Sequence, residues 1–262
     1  MSRNLKITLA YDGAEFHGWQ VQPGLRTVQG TLAECLKRLT GEDVLPQGSG
    51  RTDAGVHALA QVASVEIASP IPERNLVGAL NDVLPPAVRV NSVEPVPHEF
   101  HARHSARAKT YRYRIYRGDI CPPFLARYVY HDPYPLDEEA VMRASEHVVG
   151  KHDFSSFAAS DPDRAARIKE AADDPASAFG TVSNVRTIHS SQWVRTHDEL
   201  IYTVRGDGFL HHMVRNLVGT FLLAGKGALK IEDVPAILEA RNRSAAGPTA
   251  AACGLYLVSV EY

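Results

Sequence analysis

The sequence predicts an α+β protein built as two similar domains. Two observations carry this. Period-two strand patterns alternate with period-3.6 helix patterns in the first half, and the same coarse order returns in the second. The chain has 262 residues, enough for one large or two medium domains, with 44% hydrophobic and 22% charged residues. We divide it at 1–104 and 105–262. Two such domains facing each other leave a cleft, a usual place for a site.

The elements follow in order. Leu5–Tyr11 reads as a strand ending at Asp12-Gly13. Thr27–Thr40 reads as a helix: Thr27 caps it, Val28, Leu32, Cys35, Leu36 and Leu39 share a face, and Gly41 stops it. After a short segment near Val44 comes the loop GSGRTDAGVH, Gly48–His57. Gln61–Ala68 alternates as a strand, Pro72–Val83 reads as a helix, and Val88–Val96 as a further strand. In the second half, Lys109–Arg117 alternates Tyr111, Tyr113 and Ile115 against Thr110, Arg112 and Arg114. Asp137–Val149 is a helix candidate. Asp161–Gly180, rich in Ala and Asp, reads as an exposed loop. Val185–Val194 and Leu200–Arg205 form a hairpin around Thr196–Glu199. Phe209–Leu223 and Val234–Ala240 read as helices, and Leu255–Tyr262 as a terminal strand.

No apolar run reaches the length of a membrane span, and the N-terminal stretch is a strand pattern, not a signal peptide. Three scattered cysteines suggest neither a disulfide framework nor a zinc site, so a reducing cytoplasm is expected. The net charge of −2 hides an uneven distribution. His101–Arg117 holds six Lys/Arg and no acid. Phosphate attraction depends on such a local field, not on the total.

Four constellations carry candidate chemistry. In the GSGRTDAGVH loop, glycines let the backbone come close to a ligand, and Asp53 stands beside Arg51. An ionised Asp53 could serve as nucleophile or general base, although a loop Asp more commonly caps the next element. In Lys109–Arg114, aromatics interleaved with cations suit stacking on bases and gripping phosphates; the plainer reading is a half-buried strand with Tyr inward. Phe209–Asn216 places Arg215 among apolar helix residues, where a cation is costly unless paired with a carboxylate. The adjacent His211-His212 do not share a helix face as a metal site needs, and His98, His101 and His104 read as part of a basic wall. Phe16 to Gln22 could press on RNA or close a small core, and the residues do not choose.

These stretches occur together and in order in one family. F-x-G-W-Q at Phe16–Gln20, G-R-T-D-A-G-V-H at Gly50–His57, K-T-Y-R-Y at Lys109–Tyr113, H-x-M-V-R-N at His211–Asn216 and G-L-Y-L at Gly254–Leu257 span essentially the whole chain. The chain resembles the tRNA pseudouridine synthases of the TruA type. The resemblance implies two α+β domains with a continuous, mostly antiparallel sheet around a basic central cleft. It implies a homodimer acting on uridines 38, 39 and 40 of the tRNA anticodon arm, without cofactor or metal. By motif, Asp53 matches the catalytic aspartate. Tyr111 matches the residue that stacks on the flipped uracil and is a candidate to help deprotonate C5. Arg215 matches the basic partner of the aspartate, and Arg51 the residue that helps displace the base. Lys109, Arg112, Phe16, Gln20 and His57 join Arg51 and Tyr111 as expected substrate contacts.

Two departures stand out. The family often reads T-A-P-A before G-L-Y-L, whereas Thr249-Ala250-Ala251-Ala252-Cys253 has no proline, which is expected to loosen that loop. Asp161–Gly180 looks long for its loop. Competing functions are a non-catalytic tRNA-binding or chaperone protein on the same scaffold, and a nucleobase hydrolase using Asp53. A zinc deaminase is disfavoured because H-x-E…P-C-x-x-C is absent.

Overall fold

The computed structural model describes residues 2–159 and 183–262. The Asp161–Gly180 loop expectation lies outside the described residues. Ten strands and five α-helices occur among the described residues. The strands are β1 (Arg3–Tyr11), β2 (Gln47–Gly48), β3 (His57–Ile67), β4 (Val88–Val96), β5 (Ala108–Tyr116), β6 (Tyr130–His131), β7 (Gly150–Asp153), β8 (Val185–Thr196), β9 (Glu199–Gly206) and β10 (Leu255–Glu261). The helices are α1 (Val28–Thr40), α2 (Glu73–Val83), α3 (Glu138–Glu146), α4 (Met213–Gly225) and α5 (Val234–Ala240). The fold is α+β, with a large, mostly antiparallel sheet. No described helix is long and apolar enough to cross a membrane.

Two compact units emerge, and they are not consecutive halves. The first comprises 1–134, 193–205 and 251–262; the second comprises 135–192 and 206–250. Compactness therefore groups the chain otherwise than a cut at 104/105 does, because β5 and the C-terminal strand pack with the N-terminal elements.

In the first unit the strands lie in the order β4-β1-β3-β10-β5-β9. The C-terminal strand β10 thus enters the middle, parallel to β3 and antiparallel to β5. Leu5, Ile7 and Leu9 of β1 are fully buried, as are Leu32 and Leu36 of α1 and Leu76 and Leu80 of α2. The ends of α1 follow the sequence: the Thr27 Oγ1 accepts from the Gly30 N–H, and Gly41 closes the helix in the left-handed region.

The second unit pairs β7 antiparallel with β8 and packs α3 on α4. Its core includes Val141, Phe154, Phe157, Leu217, Val218 and Phe221. Helix α4 begins four residues later than the apolar pattern suggested. His212 sits in the left-handed region with φ 60, and the Met213 N–H bonds back to Leu210, so the preceding residues form a turn.

Candidate active site

The acidic loop is held by its own neighbours before any substrate is considered. The Asp53 carbonyl accepts from the Val56 N–H at 3.1 Å, closing a turn. Gly55 stands third in that turn at φ +79, a position that glycine fills without strain. Ahead of the turn, the Thr52 carbonyl accepts from the Trp19 N–H at 3.0 Å, and its hydroxyl bonds the Tyr11 hydroxyl at 2.9 Å. Gln61 donates to the Gly50 carbonyl at 3.0 Å and accepts from the Ser49 hydroxyl at 2.6 Å. Lys109, reaching over from β5, donates to the Ser49 carbonyl at 2.6 Å. These bonds fix both sides of the loop. Asp53 is left half-buried and Arg51 exposed.

The register of β10 decides which side chains share this face. Tyr111 pairs with Leu257, and Leu257 pairs with Ala58, so these three lie on one face. Lys109, two residues before Tyr111, shares it. Tyr111 is only 8% exposed. Burial raises its pKa first, followed by the nearby Tyr11 and the Asp53 charge. Its hydroxyl therefore stays protonated across the ordinary pH range, and Asp53 lies within electrostatic reach of it. Tyr11 is raised to about 12, chiefly by burial.

Several expected contacts are placed differently. Tyr256 pairs with His57 on one side and with Arg112 on the other, so His57 and Arg112 lie on the face opposite Tyr111. The pleat thus puts Arg112 on the face opposite Tyr111, as the alternation along β5 implies, and places His57 on that same face. The Arg112 Nε is buried without a hydrogen-bond partner among the described residues. Its neighbour Arg114 is held by Glu199 through two bonds of 2.6 and 2.8 Å. Phe16 and Trp19 are 3% and 2% exposed, which settles their open alternatives in favour of a small core. The Arg26 guanidinium covers the Phe16 ring at 4.9 Å. Gln20 remains half-exposed beside them. His101 accepts through Nδ1 from the Arg103 and His104 backbone N–H groups, a turn-forming role.

In the second unit, the Arg215 Nε donates to the Ala250 carbonyl at 2.7 Å, and the Ala250 N–H returns a bond to the Arg215 carbonyl at 3.1 Å. The Thr249 hydroxyl bonds Asn216 at 2.6 Å. The loop expected to be loose without proline is thus pinned to α4 by hydrogen bonds. These loop bonds gave no sequence signal, because they join residues about 30 positions apart.

A carboxylate in a braced glycine loop, an exposed arginine beside it and a buried tyrosine within its electrostatic reach make this loop the candidate site. The sequence model of the tRNA pseudouridine synthase family matches residues 7–105 and 144–262. A protein of Solibacter usitatus called tRNA pseudouridine synthase A is 52% identical over 260 residues, covering 99% of this chain and 100% of its own. Proteins of the same name from Moorella thermoacetica and Caldicellulosiruptor bescii are 44% and 40% identical over 260 residues. They cover 98% and 99% of this chain, and 99% and 100% of their own. This chain belongs to the tRNA pseudouridine synthase family.

Proposed function

We propose that this chain converts uridine to pseudouridine at positions 38, 39 and 40 of the tRNA anticodon arm, with Asp53 as the reacting carboxylate. Isomerisation of uridine in tRNA is the activity of its family. The observation that carries the site assignment is the Asp53 loop held beside buried Tyr111. The reaction breaks the N1–C1′ bond, turns the uracil and rejoins it through C5, so the C5 proton leaves and N1 gains one. Asp53 supplies the nucleophile or base for this exchange. The Tyr111 hydroxyl stays protonated, so we assign it to stacking and hydrogen bonding, and the C5 proton passes to the carboxylate or to water. Arg215 is the proposed basic partner of the reacting carboxylate. Arg51, exposed at the lip of the loop, is the proposed group that helps displace the base. A homodimer in the cytoplasm completes the proposal.

The test is tritium release from anticodon-arm transcripts carrying C5-labelled uridine at only one of the three positions. Release from each, with the base still joined to the RNA, is the expected result. Free uracil would indicate hydrolysis instead, and tight binding without release would indicate a non-catalytic binder. Tyr111→Phe removes the hydroxyl and keeps the ring. A turnover loss on the order of tenfold is expected, with unchanged tRNA affinity measured by filter binding. Weaker binding at full turnover would refute the assignment of that hydroxyl to the chemical step.

A further inference from the structure

We propose that His57 is a positioning residue for the Asp53 loop, acting as a neutral imidazole that ties Gly13 to Arg127 from the face of the sheet opposite Tyr111. This rests on Asp53 being the reacting carboxylate. His57 is 2% exposed, so it has almost no surface to offer a substrate. Its Nδ1 accepts from the Gly13 N–H at 3.1 Å. That bond requires the ring proton on Nε2, which donates to the Arg127 carbonyl at 3.1 Å. The ring stacks on Tyr256 with centroids 4.8 Å apart and planes 23° apart.

Gly13 transmits the effect. A Cβ added there would lie 1.9 Å from the Val56 carbonyl oxygen, so the Gly13 backbone is pressed against the residue that closes the Asp53 turn. Holding Gly13 therefore holds one wall of that turn.

The groups around the imidazole set a competition for its proton. Asp12, at the end of β1, brings Oδ1 within 3.2 Å of Nδ1 and favours a charged ring. Burial disfavours it more strongly, and the Arg127 charge acts in the same direction as burial. The Arg127 and Cys253 backbones work the other way, while Tyr128 lies 5.4 Å from the ring and Tyr256 stacks on it. The net direction is below the ordinary histidine value of 6.5. A proton arriving at Nδ1 removes the acceptor for the Gly13 N–H and turns that atom towards Asp12. The folded-state value is depressed, so the brace is complete above the unfolded value and is lost as pH falls through the folded one.

The experiment compares wild type, His57→Asn, His57→Gln, His57→Ala and Asp53→Asn in single-turnover rate and tRNA affinity across pH. Asn keeps an acceptor near the Nδ1 position and cannot be protonated; Gln keeps only the donor near Nε2. The expected result is an Asn variant close to wild type at neutral pH, without the wild-type acid limb that reports His57. The Gln and Ala variants are expected to be slower by about tenfold at unchanged affinity, the scale of one lost hydrogen bond. A wild-type rate in His57→Ala, or a loss entirely in affinity, would overturn the proposal. Should the Ala variant fail to fold, the Asn profile decides, and an acid limb identical to that of wild type would overturn it. An active Asp53→Asn would instead overturn the underlying assignment of the carboxylate, so the two failures remain distinguishable.

Discussion

Asp53→Asn protein is expected to bind tRNA normally and to form pseudouridine slower by a factor on the order of a thousand or more. The amide has nearly the same shape as the carboxyl group, and several bonds that brace the loop are made by the backbone and by neighbouring side chains. The turn is closed by the Asp53 backbone carbonyl, and the flanks are held by Thr52, Gln61 and Lys109. Charge and nucleophilicity are therefore removed while these bracing bonds remain. Single-turnover tritium release, alongside a binding isotherm for the same transcript, separates the two effects. Release at the wild-type rate would reduce Asp53 to a turn residue and take the enzymatic reading of this loop with it.

Gly219→Ala is expected to destabilise the protein by about 2 kcal/mol, the middle of the range for overpacking a tight contact. For a chain of this size that corresponds to roughly 4–8 °C in Tm. The added Cβ would lie 1.7 Å from the Pro248 carbonyl oxygen, so α4 and the Pro248–Ala250 run could not keep their contact. That run is tied to α4 at several points. Gly247 donates to the Thr220 hydroxyl at 2.8 Å, Thr249 to Asn216 at 2.6 Å, and Arg215 and Ala250 bond each other in both directions. Displacing it also releases the Arg215 side chain, so activity is expected to fall beyond the stability loss at a temperature where the variant is folded. Intrinsic helix propensity pushes the opposite way, by up to about 1 kcal/mol in favour of Ala. A raised Tm on thermal denaturation would show that propensity wins and that the contact relaxes at little cost.

Two features that the sequence left open share one physical cause. Phe16 and Trp19 could press on RNA or close a small core, and the face that His57 shares with residues of other strands is not written in its own strand. Whether an aromatic in a loop faces solvent depends on what packs over it, here the segment bearing Asp53 and the Arg26 side chain. Whether two residues of different strands share a face depends on the register between those strands. Neither is a local property.

The sequence by itself determined what short-range physics controls. Period-two alternation marked β1 and β5, and the cap and stop residues marked both ends of α1, because those signals lie within a few residues of the structure they specify. The glycine loop bearing Asp53 was legible for the same reason, and the ordered motifs identified the family. Only the tertiary structure decided how those pieces form a site. Inserting β10 between β3 and β5 puts the start of β3 and Tyr111 two strand spacings apart, about 10 Å. The pleat then turns Tyr111 to one face and His57 and Arg112 to the other. That outcome rests on pairing residues roughly 150 and 200 positions apart in the chain, for which no local pattern carries a signal.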